Sequence, residues 1–177
     1  VGYPGRIIHS PDGGKTWSGL LPVHPNWKDT VNCPAIYRLT DPAGKGRLVV
    51  FAMTKDLEIC RSYSEDGGTT WSPMESCGPT KVVMPLSTII RLQDGRHLGM
   101  TNARRAGDPD KLSNNVIQSI GGDGGLTWGD FRVVCDLPEL KPCEPCLIRS
   151  PDGTQLLCLM RQNTRTTNSL MMTSEDE

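Results

Sequence analysis

A carboxylate and a guanidinium interrupt an apolar pattern in the last third of this chain. Aligning three segments on Arg38, Arg91 and Arg149 puts Cys33, Leu86 and Glu144 five residues before each arginine. Counted five onward from Leu48, Leu98 and Leu156, the next apolar run carries Met53, Ala103 and Arg161. The third segment thus holds a charge at both places where the other two read as apolar. Glu144 lies eight residues before Asp152 and Arg161 eight after Gly153. A tight hairpin turning at Asp152-Gly153 would set the two opposite each other, at the end away from the turn. An arginine fork suits a bound carboxylate, because two parallel N–H bonds fix its orientation as well as its charge. The same two residues can also make an ordinary cross-strand ion pair, worth little in water. Position alone leaves both readings open.

The elements that must carry this pair form a repeat. Ser10-Pro-Asp12-Gly-Gly-Lys-Thr16-Trp17, Ser64-Glu-Asp66-Gly-Gly-Thr-Thr70-Trp71 and Gly121-Gly-Asp123-Gly-Gly-Leu-Thr127-Trp128 are three copies of one turn motif, and a fourth starts at Ser174-Glu-Asp176 and breaks off at Glu177. The aspartates are 54, 57 and 53 residues apart, from 12 to 66, 66 to 123 and 123 to 176. A period of that size predicts one four-stranded β-propeller blade per copy. Each unit also has an apolar stretch, an arginine and a turn at Asp41, Asp94-Gly95 or Asp152-Gly153 before a second apolar stretch. That is a hairpin signal. Each unit is therefore expected to open with a hairpin and close with the Asp-Gly-Gly turn. No long stretch shows capped 3.6-residue periodicity, so the fold is expected to be all-β with almost no helix.

In the turn motif, Asp12, Asp66 and Asp123 can accept backbone N–H groups, the glycines permit left-handed conformations, and Trp17, Trp71 and Trp128 can pack into the blade. This describes a folding device with no chemistry of its own. The first strands of a propeller line its central channel, so the Glu144 and Arg161 end of the hairpin would open into a ligand-binding funnel.

Composition narrows the function classes. With 177 residues, 36% hydrophobic and 22% charged, the chain falls in the range of one soluble globular domain. A net charge of −1 gives no basic face for nucleic acid or an anionic membrane. The longest apolar runs, Leu48 to Met53 and Leu156 to Met160, are strand-sized and far short of the roughly 20 residues of a membrane span. Seven cysteines, an odd number, are expected to be mostly reduced and buried. Cys143-Glu-Pro-Cys146 has C-x-x-C spacing but no second ligand pair, and His9, His24 and His97 are scattered, so no metal site is expected. The charged segment with Arg104, Arg105, Asp108 and Asp110 reads as a solvated loop, with the rim of the funnel as the alternative. The chain opens at Val1 with no visible signal peptide, which leaves room for an upstream targeting segment.

The triple turn motif resembles the Asp box of sialidases. The stretch Glu144-Pro-Cys-Leu-Ile-Arg-Ser-Pro-Asp-Gly-Thr-Gln-Leu-Leu-Cys-Leu-Met-Arg161-Gln-Asn163 resembles the fourth-blade segment of exo-α-sialidases, where a glutamate and then an arginine lie between the third and fourth boxes. The resemblance implies a six-bladed propeller of which this chain covers about three blades. Residues 1–18 would end the first blade, 19–72 form the second, 73–129 the third and 130–177 most of the fourth. It further implies hydrolysis of terminal sialic acid with retention and without a cofactor. Glu144 would be the base that activates a tyrosine nucleophile, and Arg161 one of three arginines that clamp the sugar carboxylate. A tyrosine suits this substrate because an anionic nucleophile would be repelled by the carboxylate on the anomeric carbon.

No residue here matches the family's nucleophilic tyrosine, acid/base aspartate or two further arginines, so the chain alone is expected not to turn over substrate. Asp-box propellers also serve as non-catalytic carbohydrate-binding or assembly modules, and a related hydrolase of another acidic sugar would keep the arginine contact. The partner implied is a sialylated glycan or other acidic sugar, and the family leans toward secretion or the periplasm. Strand edges left bare by missing blades predict that the chain expressed alone associates. Size-exclusion chromatography should find it larger than a monomer, and a clean monomer at high concentration would count against the partial propeller.

Overall fold

The computed structural model describes residues 5–176. Residues 1–4 of the expected first-blade segment, and Glu177 in the broken fourth motif, lie outside the described residues. After a short 3-10 turn at Pro25–Asp29, eleven strands follow: β1 (Thr30–Thr40), β2 (Gly46–Thr54), β3 (Ile59–Ser64), β4 (Glu75–Ser76), β5 (Thr88–Arg91), β6 (His97–Arg104), β7 (Asn114–Gly121), β8 (Arg132–Cys135), β9 (Pro142–Arg149), β10 (Leu156–Gln162) and β11 (Leu170–Ser174). They form three antiparallel sheets in chain order, β1-β2-β3-β4, β5-β6-β7-β8 and β9-β10-β11. The fold is all-β, as the repeat predicts. Among the described residues no helix is long and apolar enough to cross a membrane.

The sequence predicts that each unit closes with its Asp-Gly-Gly turn, and the structure corrects this for the first two sheets. The turn joins the third strand to the fourth, so the first two sheets run on to Ser76 and Cys135. Its geometry follows from one carboxylate. Asp66 Oδ1 accepts the N–H groups of Thr69 and Thr70 at 3.0 and 2.9 Å, and Oδ2 accepts the Thr70 hydroxyl at 2.6 Å. Asp123 repeats this with Leu126 and Thr127, and Asp12 with Lys15 and Thr16. The two glycines after each aspartate have φ between 72° and 95°, which any larger residue would strain to adopt. The backbone N–H of Thr16, followed by its hydroxyl and that of Ser10, holds the Asp12 carboxyl down at about 2. The Thr70 hydroxyl, followed by the Thr70 backbone N–H and the Ser64 hydroxyl, depresses Asp66 in the same way.

The turns dock successive sheets. Arg47 on β2 donates to the Asp123 carbonyl at 2.6 Å and Arg61 on β3 to the Leu126 carbonyl at 2.6 Å. A Cβ on Gly125 would come within 2.3 Å of Leu39, so glycine is required for this approach. Trp128 then lies edge-on to Phe51, with ring centroids 5.8 Å apart, while Trp71 meets Trp27 at 5.7 Å. Trp17, by contrast, is 60% exposed. One apolar layer, with Leu39, Phe51, Met53 and Leu86, lies between the first two sheets. A second, with Leu92, Met100, Leu147 and Cys158, lies between the second and third.

The first strands of successive sheets run side by side. Tyr37 Oη donates to the Leu86 carbonyl just before β5, and the Leu147 N–H on β9 donates to Thr88 Oγ1 on β5 at 3.0 Å. The outer face of the third sheet is bare, with Ile148, Leu159 and Met171 each more than half exposed.

Trp128 covers Gly99 so closely that a Cβ there would lie 2.8 Å from the indole and 3.0 Å from Leu86. Gly99→Ala should therefore lower the unfolding free energy by roughly 1–3 kcal/mol, the usual cost of overpacking. Chemical denaturation reads this directly, and an unchanged midpoint would mean that the Trp128 indole is not packed tightly on Gly99.

Candidate functional site

β9 and β10 pair through Arg149 with Leu156, Ile148 with Leu157, Leu147 with Cys158 and Cys146 with Leu159, after which the register shifts. Arg161 then pairs with Cys143 and Gln162 with Pro142. Glu144 is therefore not directly opposite Arg161, as a regular hairpin would have it. A β-bulge places Glu144 and Pro145 against the single residue Met160. Glu144 takes φ 53°, a left-handed conformation that costs a non-glycine residue on the order of 1–2 kcal/mol.

The bulge re-aims the side chain, and the two charges meet despite the shifted register. Arg161 Nε donates to Glu144 Oε2 at 2.6 Å and Nη2 to Oε1 at 2.7 Å, a two-point fork. The side chains are 43% and 45% exposed. The hydrogen bonds from Arg161 hold the Glu144 carboxyl below its usual range, and Glu144 in turn raises the Arg161 guanidinium. The pair lies at the mouth of a cavity of about 270 Å³ whose wall includes Cys33, Asn102, Lys111, Leu112 and Asn163.

The backbone around Glu144 is held from the neighbouring sheet. Asn102 Oδ1 on β6 accepts the Glu144 N–H at 3.2 Å, and Ser87 Oγ shares its one proton between the Pro145 and Met100 carbonyls, each at 3.1 Å. Asn163 sits two residues past Arg161. It accepts from the Cys143 thiol at 3.3 Å and donates through Nδ2 to the Leu112 carbonyl at 3.1 Å.

The charged loop between β6 and β7 anchors itself and forms one wall. Arg105 pairs with Asp136 and Asp110 with Lys141. Asp108 Oδ1 accepts the Asp110 N–H at 2.9 Å, and Arg104 donates to the Lys111 carbonyl at 3.3 Å. The four charges singled out in the sequence fasten the loop, and its neighbours Lys111 and Leu112 reach the cavity. Cys143 is buried and Cys146 exposed, so the C-x-x-C spacing does not turn both thiols to one side.

Asn102 and Asn163 were not legible as site residues. Matching Leu48 with Leu98 by hydrophobicity made Ala103 the counterpart of Arg161, but the observed pairs are Arg38 with Leu48, Arg91 with His97 and Arg149 with Leu156. The second hairpin is one residue tighter than the third, so the counterpart of Arg161 in the second sheet is Asn102, and in the first it is Met53. The second unit is thus polar, not apolar, at this position. The polarity of Asn102 in an otherwise apolar run was the available signal.

No family model and no curated protein matches the sequence. Several solved structures match in shape. A protein of unknown function from Dyadobacter fermentans aligns with 99% of this chain and 56% of its own length, at TM-score 0.67 and 18% identity. A Hadza microbial sialidase aligns with 97% of this chain and 38% of its own, at TM-score 0.64 and 16% identity. The intramolecular trans-sialidase from Ruminococcus gnavus aligns with 93% of this chain and 35% of its own, at TM-score 0.56 and 18% identity. The fold is that of part of a sialidase-like β-propeller, and the chain spans little more than half, or less, of these structures.

The Glu144 carboxyl is depressed by Arg161, so the pair stabilises the fold above the free carboxyl value of 4.5 and stops doing so as pH falls through the lower folded value. Its exposure limits this contribution to about 1 kcal/mol or less. Carbon-detected NMR should place the Glu144 midpoint below that of a free glutamate, and Arg161→Gln should move it up. A midpoint unmoved by that substitution would mean the fork is not populated in solution.

Proposed function

We propose that this chain is the part of an exo-α-sialidase-like glycoside hydrolase that carries the catalytic glutamate and one substrate-binding arginine. The reading rests on the Glu144–Arg161 fork at the mouth of a cavity, on a sialidase-like sheet. Arginine has five N–H donors. Glu144 engages the Nε–H and one on Nη2, which leaves a second fork across Nη1 and Nη2. That free edge suits the carboxylate of sialic acid or another acidic sugar.

Substrate binding would also tune the base. Without substrate, Arg161 keeps Glu144 a weak base. An incoming carboxylate shares the guanidinium and brings a second negative charge nearby, and both effects raise the proton affinity of Glu144. A tyrosine hydroxyl beside Glu144 would then pass it its proton while the phenolic oxygen attacks the anomeric carbon. The glycosidic oxygen would leave with a proton from a separate acid, and water would release the sugar with retention. Neither the tyrosine nor that acid is assigned to a residue of this chain.

A non-catalytic module that binds acidic sugars is the second reading. It is favoured by the low proton affinity of a carboxylate fully engaged by its arginine.

The full-length protein should release sialic acid from a fluorogenic α-sialoside. Glu144→Gln should lower kcat about 10²–10⁴-fold with little change in KM, the usual scale for loss of a general base. Arg161→Lys should raise KM about tenfold or more, because an ammonium cannot form the fork. Sugar binding without turnover would establish the binding module. Neither binding nor turnover would sink both readings.

A further inference from the structure

Glu144 has an unusual backbone, and the cause lies outside its own sheet. In a regular β9–β10 ladder, residues next to a site strand are held by the partner strand. The register shift between the Cys146–Leu159 and Arg161–Cys143 pairs removes that support at Glu144 and Pro145. The partly buried Glu144 N–H, freed from the ladder, takes its acceptor from another sheet. The acceptor is Asn102 Oδ1 at 3.2 Å, on a residue only 1% exposed in the middle of β6. Ser87 and Thr88 extend the same arrangement, holding the Pro145 carbonyl and the Leu147 N–H at 3.1 and 3.0 Å.

The repeat supplies its own control. One sheet earlier, the counterparts of Asn102 and Glu144 are Met53 and Leu86, both fully buried in one apolar cluster. Between the second and third sheets both members of this facing pair have become polar, and they are joined by a hydrogen bond. The Asn102 carboxamide oxygen, buried here, is satisfied by the backbone N–H of Glu144, a donor that does not depend on the side chain at that position.

We infer that Asn102 is a positioning residue: its buried carboxamide oxygen holds the Glu144 N–H and fixes the left-handed bulge that turns the carboxylate onto Arg161. This assignment rests on the reading of Glu144 as the working carboxylate. Asn102 lines the same cavity as Arg161, and its hydrogen bond goes to the Glu144 backbone, through which it acts.

Two substitutions in the full-length protein separate positioning from mere packing. Asn102→Leu restores the apolar character of Met53 and removes the acceptor, while Asn102→Asp keeps an acceptor oxygen. In the wild type the Arg161 Nε–H should give a solvent-protected, downfield proton NMR signal from the fork. Asn102→Leu should lose that signal and shift the Glu144 titration upward, with kcat down about tenfold or more and the melting temperature unchanged or higher. Asn102→Asp should keep the signal. A protected signal and a wild-type Glu144 titration in folded Asn102→Leu would overturn the proposal, as would loss of the signal in folded Asn102→Asp. Should Asn102→Leu not fold, the Asp variant decides. The spectroscopic readouts need no turnover, so a wild type that hydrolyses no sialoside would count against the hydrolase reading and leave the role of Asn102 to be decided by NMR.

Discussion

The architecture depends on an aspartate carboxylate that gathers backbone N–H groups into a turn. In each motif one oxygen accepts two successive N–H groups and the other a threonine hydroxyl. Charge-assisted bonds of this kind are stronger than neutral ones and pull the carboxyl well below its usual value. A turn held this firmly can be used as a docking surface. The Asp123 turn offers its carbonyls to Arg47 and Arg61 and its glycine to Leu39, and the second sheet is thereby locked against the first.

That docking sets the geometry on which the candidate site relies. With the sheets stacked at fixed spacing, the first strands adjoin and side chains of one sheet reach the backbone of the next. Asn102, Ser87 and Thr88 do this to β9. The Glu144 bulge is therefore supported by the neighbouring sheet as much as by its own hairpin. The hydrogen bond to Asn102 and the fork to Arg161 both act against its backbone strain.

The wall of the cavity has a different origin. The loop between β6 and β7 carries five ionisable residues from Arg104 to Lys111, an arrangement that ordinarily suits solvent. Two ion pairs reach across to Asp136 and Lys141 and hold it against the segment that links β8 to β9. Such pairs contribute little to stability when exposed. Their effect here is to keep Lys111 and Leu112 beside the mouth of the site.

Much of this was legible in the sequence, because it depends on local chemistry. The Asp-Gly-Gly spacing determined the turns, alternating apolar runs determined the strands, and the repeat period determined how many sheets to expect. The departure of Glu144 and Arg161 from the pattern marked the pair, since a charge at an apolar repeat position stands out in one dimension. The register that joins them did not. A regular hairpin would have opposed them directly, and a bulge instead pairs Arg161 with Cys143. A bulge is a trade between ladder hydrogen bonds and contacts from another sheet, so no count of residues along one strand can place it. Asn102 was hidden for the same reason, because its partner lies 42 residues away and the tighter second hairpin displaced it from its sequence-aligned counterpart. Residue type along the chain singled out Glu144 and Arg161, while the packing of one sheet on the next sets which backbone and which neighbours hold them.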